Sequence, residues 1–441
     1  MPTASKKVIN GWAMYDWANS VYNLVITTTF FPIYFNATTA HVYGENNVPF
    51  LGRQFKNSAL YEYATAFAYL IITVLLPILS SIADTWGNKK RFMQFFCYLG
   101  SLSCIGLYWF LGPNVSWGII CFILAAVGYI GSLVFYNSYL PEIAAPEDQD
   151  RVSAKGFSMG YIGSVILQLL GFALVLYFDK QNDKTALGPR ITFLLVGVWW
   201  MGFAQITFAR LPKSQPSLVR SDVSFLTKGF IELRKVYGQL KHMPLLKTYL
   251  FSFFMYSMGV QTVMLAASIF GAKLLHLPDT NLIMTLVAVQ LVAIIGAVVL
   301  SRLSSRFGNL RVLMSVVLVW ILICVMAYFV ATWAEAGINV EYYFYAVAVA
   351  VGLVMGGIQS LSRSTYSKLM PETKDTASFF SFYDVTEKFA IVIGMFSFGY
   401  IDELIGMKYS VLALIFFFLV GFIGLRVSMQ KEKHHALAKA V

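Results

Sequence analysis

The chain has 441 residues, 58% of them apolar and 12% charged, with a net charge of +11. A soluble domain carries about 45–50% apolar and about 25% charged residues. A cytosolic enzyme, a disordered chain and a secreted disulfide scaffold are therefore excluded. A membrane-spanning helix needs about 20 apolar residues, so twelve would use about 250 and leave only modest connections.

Taken in chain order, the apolar runs predict twelve helices, at roughly 11–35, 58–83, 92–111, 115–140, 155–178, 190–209, 246–274, 281–303, 310–333, 342–368, 377–402 and 408–428. The two longest connections are 36–57 and the stretch from Arg210 to Met243. No cleavable signal pattern precedes the first run. With the N-terminus placed in the cytoplasm, 26 of the 33 Lys and Arg residues fall on the inner side and 7 on the outer. That asymmetry orients multi-pass proteins, so both termini are expected inside, and the basic excess reflects orientation rather than nucleic acid. Short ends and loops favour a bacterial inner membrane over a vacuole.

The expected organisation is a six-helix half over 1–209, a linker over 210–245 and a second six-helix half over 246–441. In the linker, Val223, Leu226, Phe230, Leu233, Tyr237 and Leu240 recur at steps of three and four, with Lys228, Arg234, Lys235 and Lys241 between them. Such a helix suits the inner membrane surface, or is a soluble connection. Cys97, Cys104, Cys121 and Cys324 sit in apolar runs without metal-ligand spacing and read as small buried residues.

Two short matches argue that the halves are duplicates. Gly87-Asn88, in Ile82-Ala83-Asp84-Thr85-Trp86-Gly87-Asn88-Lys89-Lys90-Arg91, aligns with Gly308-Asn309 at an offset of 221. Tyr136 to Glu142, containing Leu140-Pro141-Glu142, aligns with Tyr366 to Glu372, containing Met370-Pro371-Glu372, at an offset of 230.

The 82–91 stretch resembles the loop between the second and third helices of the major facilitator superfamily, through Ile82, Ala83, Asp84, Gly87 and Lys89; Ser80, Thr85 and Asn88 depart from that pattern. Gly87 permits the turn. Asp84, facing a helix N-terminus or a basic residue of the other half, would latch an inner gate with Lys89 nearby. A narrower resemblance is to the vacuole-effluxer-like branch of that superfamily. It rests on Gly11-Trp12-Ala13-Met14-Tyr15-Asp16-Trp17-Ala18-Asn19-Ser20-Val21-Tyr22-Asn23, Thr27-Thr28-Thr29-Phe30-Phe31-Pro32, Leu361-Ser362-Arg363-Ser364, Phe379-Phe380, and Val385-Thr386 with Lys388-Phe389. The resemblance implies an all-α membrane protein of twelve transmembrane helices in two pseudo-symmetric halves. It also implies amino-acid or metabolite efflux by rocking those halves around a midplane site.

Ionisable residues at membrane depth are candidate functional groups. Asp16, Asn19 and Asn23 share one helical face, and Asp16 is expected to hold a substrate ammonium, to carry a coupling proton, or to serve as a structural carboxylate. Asp384 and Lys388 stand at i and i+4, acid first, with Glu387 alongside. Lys388 either binds a substrate carboxylate or forms a standing pair with Asp384 or Glu387. With Asp16 and Lys388 both in the cavity, one charge of each sign would suit a zwitterion. Gln261, Thr262 and Gln359 are candidate hydrogen-bonding groups. Arg363 reads as an anion ligand, an inner-gate bridge or a snorkelling residue, and Glu62 as interfacial. Glycines 156, 160, 163, 352, 356 and 357 favour close helix contact.

No ATP-binding loop, metal motif or nucleophile–base set appears in the sequence, so neither enzymatic activity nor a cofactor is expected. The expected partners are a small-molecule substrate, with H+ as a possible coupling ion, and the lipid bilayer. The alternatives are proton-coupled export of drugs or other metabolites, and a non-transporting sensor or scaffold with the same fold.

Overall fold

The computed structural model describes residues 2–45, 47–180, 186–213, 234–271 and 279–440. The chain enters as a long helical run made of α1 (Lys6–Val21), a π-helical segment (Tyr22–Phe30) and α2 (Phe31–Tyr43). In the wider π turn the hydroxyls of Thr28 and Thr29 both donate to the Leu24 carbonyl, at 2.9 Å each, which supplies bonds that the altered backbone register leaves short.

The stretch expected as an outer loop is more ordered than the sequence suggested. Helix α2 runs on to Tyr43, and a hairpin of β1 (Val48–Phe50) and β2 (Arg53–Phe55) follows, with Val48 opposite Phe55. Leu51 (φ 48°) and Gly52 (φ 77°) make its two-residue turn, the mirror-image type whose twist matches the flanking strands.

The helices that follow are α3 (Asn57–Trp86), α4 (Lys89–Gly106), α5 (Val115–Ser138), α6 (Leu140–Ile143), α7 (Gln149–Lys180) and α8 (Leu187–Arg210). After them come α9 (Pro244–Ile269), α10 (Asp279–Phe307), α11 (Asn309–Glu335), α12 (Glu341–Leu369), α13 (Thr376–Ile405) and α14 (Met407–Ala440). Among the described residues, ten helices are long and apolar enough to cross a membrane. Two other long helical runs complete the set of twelve among the described residues: the first, interrupted by its π turn, and α13, which carries Asp384, Glu387 and Lys388. Of the amphipathic linker helix, residues 214–233 lie outside the described residues, while 234–241 are helical with Val236 and Leu240 buried.

The chain forms two compact units. One comprises Ala4–Tyr139 and Met159–Gly229; the other comprises Met1–Thr3, Leu140–Ser158 and Phe230–Val441. Inside the first, α1 packs on α8, α4 on α5 and α8, and α3 on α5. Inside the second, α9 packs on α14, α11 on α12 and α14, and α10 on α12. Counted in chain order within each set of six spans, both units pair first with sixth, third with fourth, third with sixth, and second with fourth. This shared pattern is the structural form of the internal repeat.

The division does not follow the chain simply, because Leu140–Ser158 packs into the second unit although its flanking segments belong to the first. Close helix contact inside each unit depends on glycine. A Cβ at Gly128 would strike the Gly100 backbone, and one at Gly356 would strike the Ala293 carbonyl.

Candidate functional site

The duplicated turn comes first. Gly87 closes α3 with φ +65°, and the Asn88 N–H bonds the Ala83 carbonyl at 3.0 Å, a helix end that a left-handed glycine makes inexpensive. Asp84 and Lys89 flank this turn, both buried, with the ammonium 3.5 Å from the carboxylate. The first copy thus carries its own charge pair. In the second copy the turn residue is Gly308, φ +89°, but the offset of 221 puts Ser305 and Leu310 where Asp84 and Lys89 stood.

The missing charges come from elsewhere. Asp150, at the start of α7, is buried and accepts from Ser304 Oγ at 2.7 Å, Asn309 Nδ2 at 2.7 Å and Lys368 Nζ at 2.8 Å. The Asn309 side chain also donates to Thr365 Oγ1 and accepts from Lys368 Nζ, each at 3.0 Å.

One turn along α7, Ser153 continues the cluster. Arg363 is buried and donates through Nε to Ser153 Oγ and through its Nη2 to the Ser153 carbonyl, both at 2.9 Å. Its guanidinium lies 4.3 Å from the centre of the Phe157 ring, a stacked arrangement suited to a planar cation. Ser153 Oγ in turn donates to the Ser360 carbonyl at 2.8 Å. Near the start of the Leu140–Ser158 segment, Glu142 accepts from Thr376 at 2.9 Å. The Thr3 hydroxyl donates to Asp148 at 2.6 Å and accepts the Ala145 N–H at 3.0 Å. Thr3, then Arg151, holds the Asp148 carboxyl below its ordinary value.

Deeper in the second unit, Lys388 Nζ lies 2.7 Å from Glu387 Oε2, and Glu387 Oε1 accepts from Gln261 Nε2 at 3.0 Å. Glu387, one of the two acids weighed for Lys388, pairs with it, and Asp384 is buried one turn before. Gln359 Nε2 approaches Met264 Sδ at 3.6 Å. Aromatic residues connect this group to the region of Arg363. Tyr256 shares a 2.7 Å hydrogen bond with Ser362 Oγ, Tyr249 donates to the Ser362 carbonyl at 2.8 Å, and Tyr383 stacks on Phe253 with ring centres 4.3 Å apart.

In the first unit, Asp16 is buried and accepts the Tyr136 hydroxyl at 2.7 Å. Trp12 stacks on Tyr136 at 4.4 Å and donates to its carbonyl at 3.0 Å, fixing the tyrosine that holds Asp16. Asn19, on the same face, is fully buried, and neither amide atom makes a hydrogen bond. Asn23 lines a cleft with Tyr22 and Thr27. The structure therefore brings Gln261, Glu387 and Lys388 together in one unit and Asp16 with Tyr136 in the other. Asp150, Ser153, Ser304 and Lys368 were not singled out from sequence as site residues, and Asn309 only as part of the repeated turn, although the acid missing at Ser305 is a signal that was present.

The ten apolar helices and the repeated pairing define a multi-pass membrane protein with the major facilitator superfamily fold. Solved structures agree on the fold. A structure of the fucose:proton symporter FucP of E. coli superposes with a TM-score of 0.67 at 17% identity, covering 96% of this chain and 97% of that one. A bacterial homologue of the iron transporter ferroportin, in an outward-facing state, gives 0.66 at 13%, covering 96% and 98%. The chain belongs to the vacuole effluxer Atg22-like family, whose model matches residues 4–437, and is a membrane transporter of the major facilitator type. It is 28% identical over 421 residues to the uncharacterised MFS-type transporter YxiO of Bacillus subtilis, covering 94% of this chain and 93% of that protein. It is 27% identical over 492 residues to autophagy-related protein 22 of Kluyveromyces lactis, covering 99% and 97%.

Proposed function

We propose that this protein is a secondary active transporter that exports a small polar metabolite by alternating access, with a neutral amino acid as the leading substrate. The observation that carries the reading is the Gln261–Glu387–Lys388 relay inside membrane-spanning helices. An ionised side chain at bilayer depth costs about 2.5–3.5 kcal/mol on insertion scales and is retained where it has work to do. Gln261 anchors Glu387 from the neighbouring helix, so Lys388 can exchange its carboxylate partner for that of a substrate without leaving Glu387 bare. Asp16 offers the first unit's acceptor, for a substrate ammonium or a coupling proton, with Tyr136 donating to it.

Arg363 and the Asp150 cluster act as the inner gate in this reading. They tie Leu140–Ser158 to α10, α11 and α12 with charge-assisted hydrogen bonds that must break for the segment to move. Asp84, Gly87 and Lys89 are the equivalent turn of the first unit. The Lys and Arg distribution supports cytoplasmic termini, and the short loops support a bacterial inner membrane.

Proton-coupled export of drugs or other metabolites is the second reading. Asp16 and Glu387, both carboxylates within membrane-spanning helices, favour it because each is positioned to carry a proton. Counterflow in proteoliposomes loaded with unlabelled neutral amino acids tests the first reading. Labelled amino acid should accumulate only when its unlabelled counterpart is inside. No accumulation for any neutral amino acid, with or without a pH difference, would transfer the case to the second reading.

A further inference from the structure

The second copy of the repeated turn also differs from the first on its exposed side. At the offset of 221, Arg302 and Arg306 stand where the first copy has Ser81 and Thr85. Both are exposed, and among the described residues neither pairs with a carboxylate. Helical spacing gives what they face. Leu291, Ile295 and Val299 are exposed along α10, at the four-residue steps of the apolar stripe that a spanning helix turns to lipid. Arg302 and Arg306 continue that stripe beyond Val299, at steps of three and four. One position on from each, Leu303 and Phe307 are exposed as well, and the Arg306 guanidinium lies 5.5 Å from the centre of the Phe307 ring. Helix α11 repeats the arrangement. Its exposed Leu318, Leu322, Met326 and Phe329 form a stripe that runs back through Ser315 to an exposed Arg311. Glu432 of α14 is within electrostatic reach of Arg311, which leaves Arg302 and Arg306 as the uncompensated pair. The positive-inside bias puts basic residues near helix ends without choosing a face. The helix dipole favours Arg306 in the last turn but has faded by Arg302.

We infer that Arg302 and Arg306 bind the phosphate of an anionic phospholipid, with its glycerol backbone against Leu303 and Phe307 and its acyl chains along the α10 stripe. In the orientation proposed above, this is a lipid of the inner leaflet. Guanidinium groups meet phosphate oxygens with paired N–H donors, and each basic residue held near an anionic bilayer surface adds to the attraction. An anionic headgroup brings a net charge for the two arginines to neutralise, whereas a zwitterionic one carries its own cation. The buried side of the same turn presents Ser304 and Asn309 to Asp150. A bound headgroup therefore holds, from the bilayer side, the turn that Asp150 grips from within. The inference is independent of which solute the protein carries.

Native mass spectrometry of the full chain in neutral detergent, with equal amounts of dioleoylphosphatidylglycerol and dioleoylphosphatidylcholine, tests this. Each arginine should contribute about fivefold to the preference for the anionic lipid, so the wild type should retain it over the zwitterionic one by about 25-fold. Arg302→Gln and Arg306→Gln should each lower that ratio by about fivefold, and together bring it close to one. Lys6→Gln with Lys7→Gln makes the same change in net charge at two other exposed residues and should leave the ratio as in the wild type. Glycerol 3-phosphate in large excess supplies the phosphate without the chains and should not displace the lipid. Melting curves without lipid should match the wild type, and the single variants carry the test should the double variant fail to fold. A wild-type ratio near one, a ratio that survives both arginine substitutions, or an equal fall in the two double variants would overturn the inference. So would displacement by glycerol 3-phosphate, which would mark a site for free phosphate.

Discussion

Truncating Asp150 to alanine removes one buried carboxylate and the three hydrogen bonds it accepts. Bonds to a charged group contribute about 1.5–3 kcal/mol each, but the three donors are not stranded equally. Ser304 has the Ser301 carbonyl as a second acceptor, Asn309 keeps Thr365, and Lys368 is 22% exposed, so water takes part of its charge. The summed loss therefore falls to about 3 kcal/mol, near the low end for breaking a buried ion pair. If the loss is local, the opening equilibrium of the segment rises by about a hundredfold. Hydrogen–deuterium exchange on the full chain in lipid nanodiscs should show that acceleration in 144–158 and in the 304–312 turn, with α4 and α5 unchanged. Asp148→Ala, at a half-buried neighbour that makes none of the Asp150 bonds, should leave the 304–312 turn as in the wild type. Exchange in both segments within threefold of wild type, or an equal rise in every helix, would refute the view of Asp150 as a local fastener.

Lys388→Met should lower thermal stability by about 2 kcal/mol by leaving Glu387 without its cation, and Glu387→Gln in the same chain should restore most of it; detergent melting curves of the single and double variants check this. Gly356→Ala forces a methyl group onto the Ala293 carbonyl and should cost about 1–3 kcal/mol, read as a lower melting temperature that Ala293→Gly does not rescue, since the obstacle is backbone. The lowered pKa of Asp148 gives a pH dependence: its tether to Thr3 contributes fully above the ordinary carboxylate value and is lost as pH falls through the lower folded value. The N-terminus should therefore loosen only below about pH 4. Anisotropy of a fluorophore on the N-terminus should fall there, and Thr3→Ala should already be mobile at neutral pH.

Much of the fold was legible in the sequence because spanning a bilayer imposes a simple requirement, a long apolar run for each pass. Helices α3, α5, α8 and α11 begin and end within a few residues of the apolar runs. The ends of other helices were less legible, because a helix continues beyond the apolar stretch wherever its backbone bonds can. Thus α7 starts at Gln149 rather than near 155, and α14 extends to Ala440. The π segment left no mark in hydropathy, since its residues are as apolar as their neighbours and its register depends on packing.

The charged residues of α13 were visible as costly anomalies. The pairing of Lys388 with Glu387 was not, because i,i+4 spacing points to Asp384 and the approach of Gln261 to Glu387 comes from α9, 126 residues away. The Asp150 cluster shows a different limit. Its donors come from α10, α11 and α12, separated from Asp150 by more than 150 residues. The sequence held one clue, an acid and a lysine absent from the second copy of a repeated turn. Only the fold shows that Asp150 and Lys368 stand beside that turn.

The most direct test of the central claim is efflux of preloaded neutral amino acid from proteoliposomes, measured with and without an imposed pH difference. The wild type would be compared with folded Lys388→Ala and Asp16→Asn. The account predicts saturable efflux by the wild type and at least a tenfold loss in each variant. Equal efflux from all three, or none from the wild type under either condition, would contradict it.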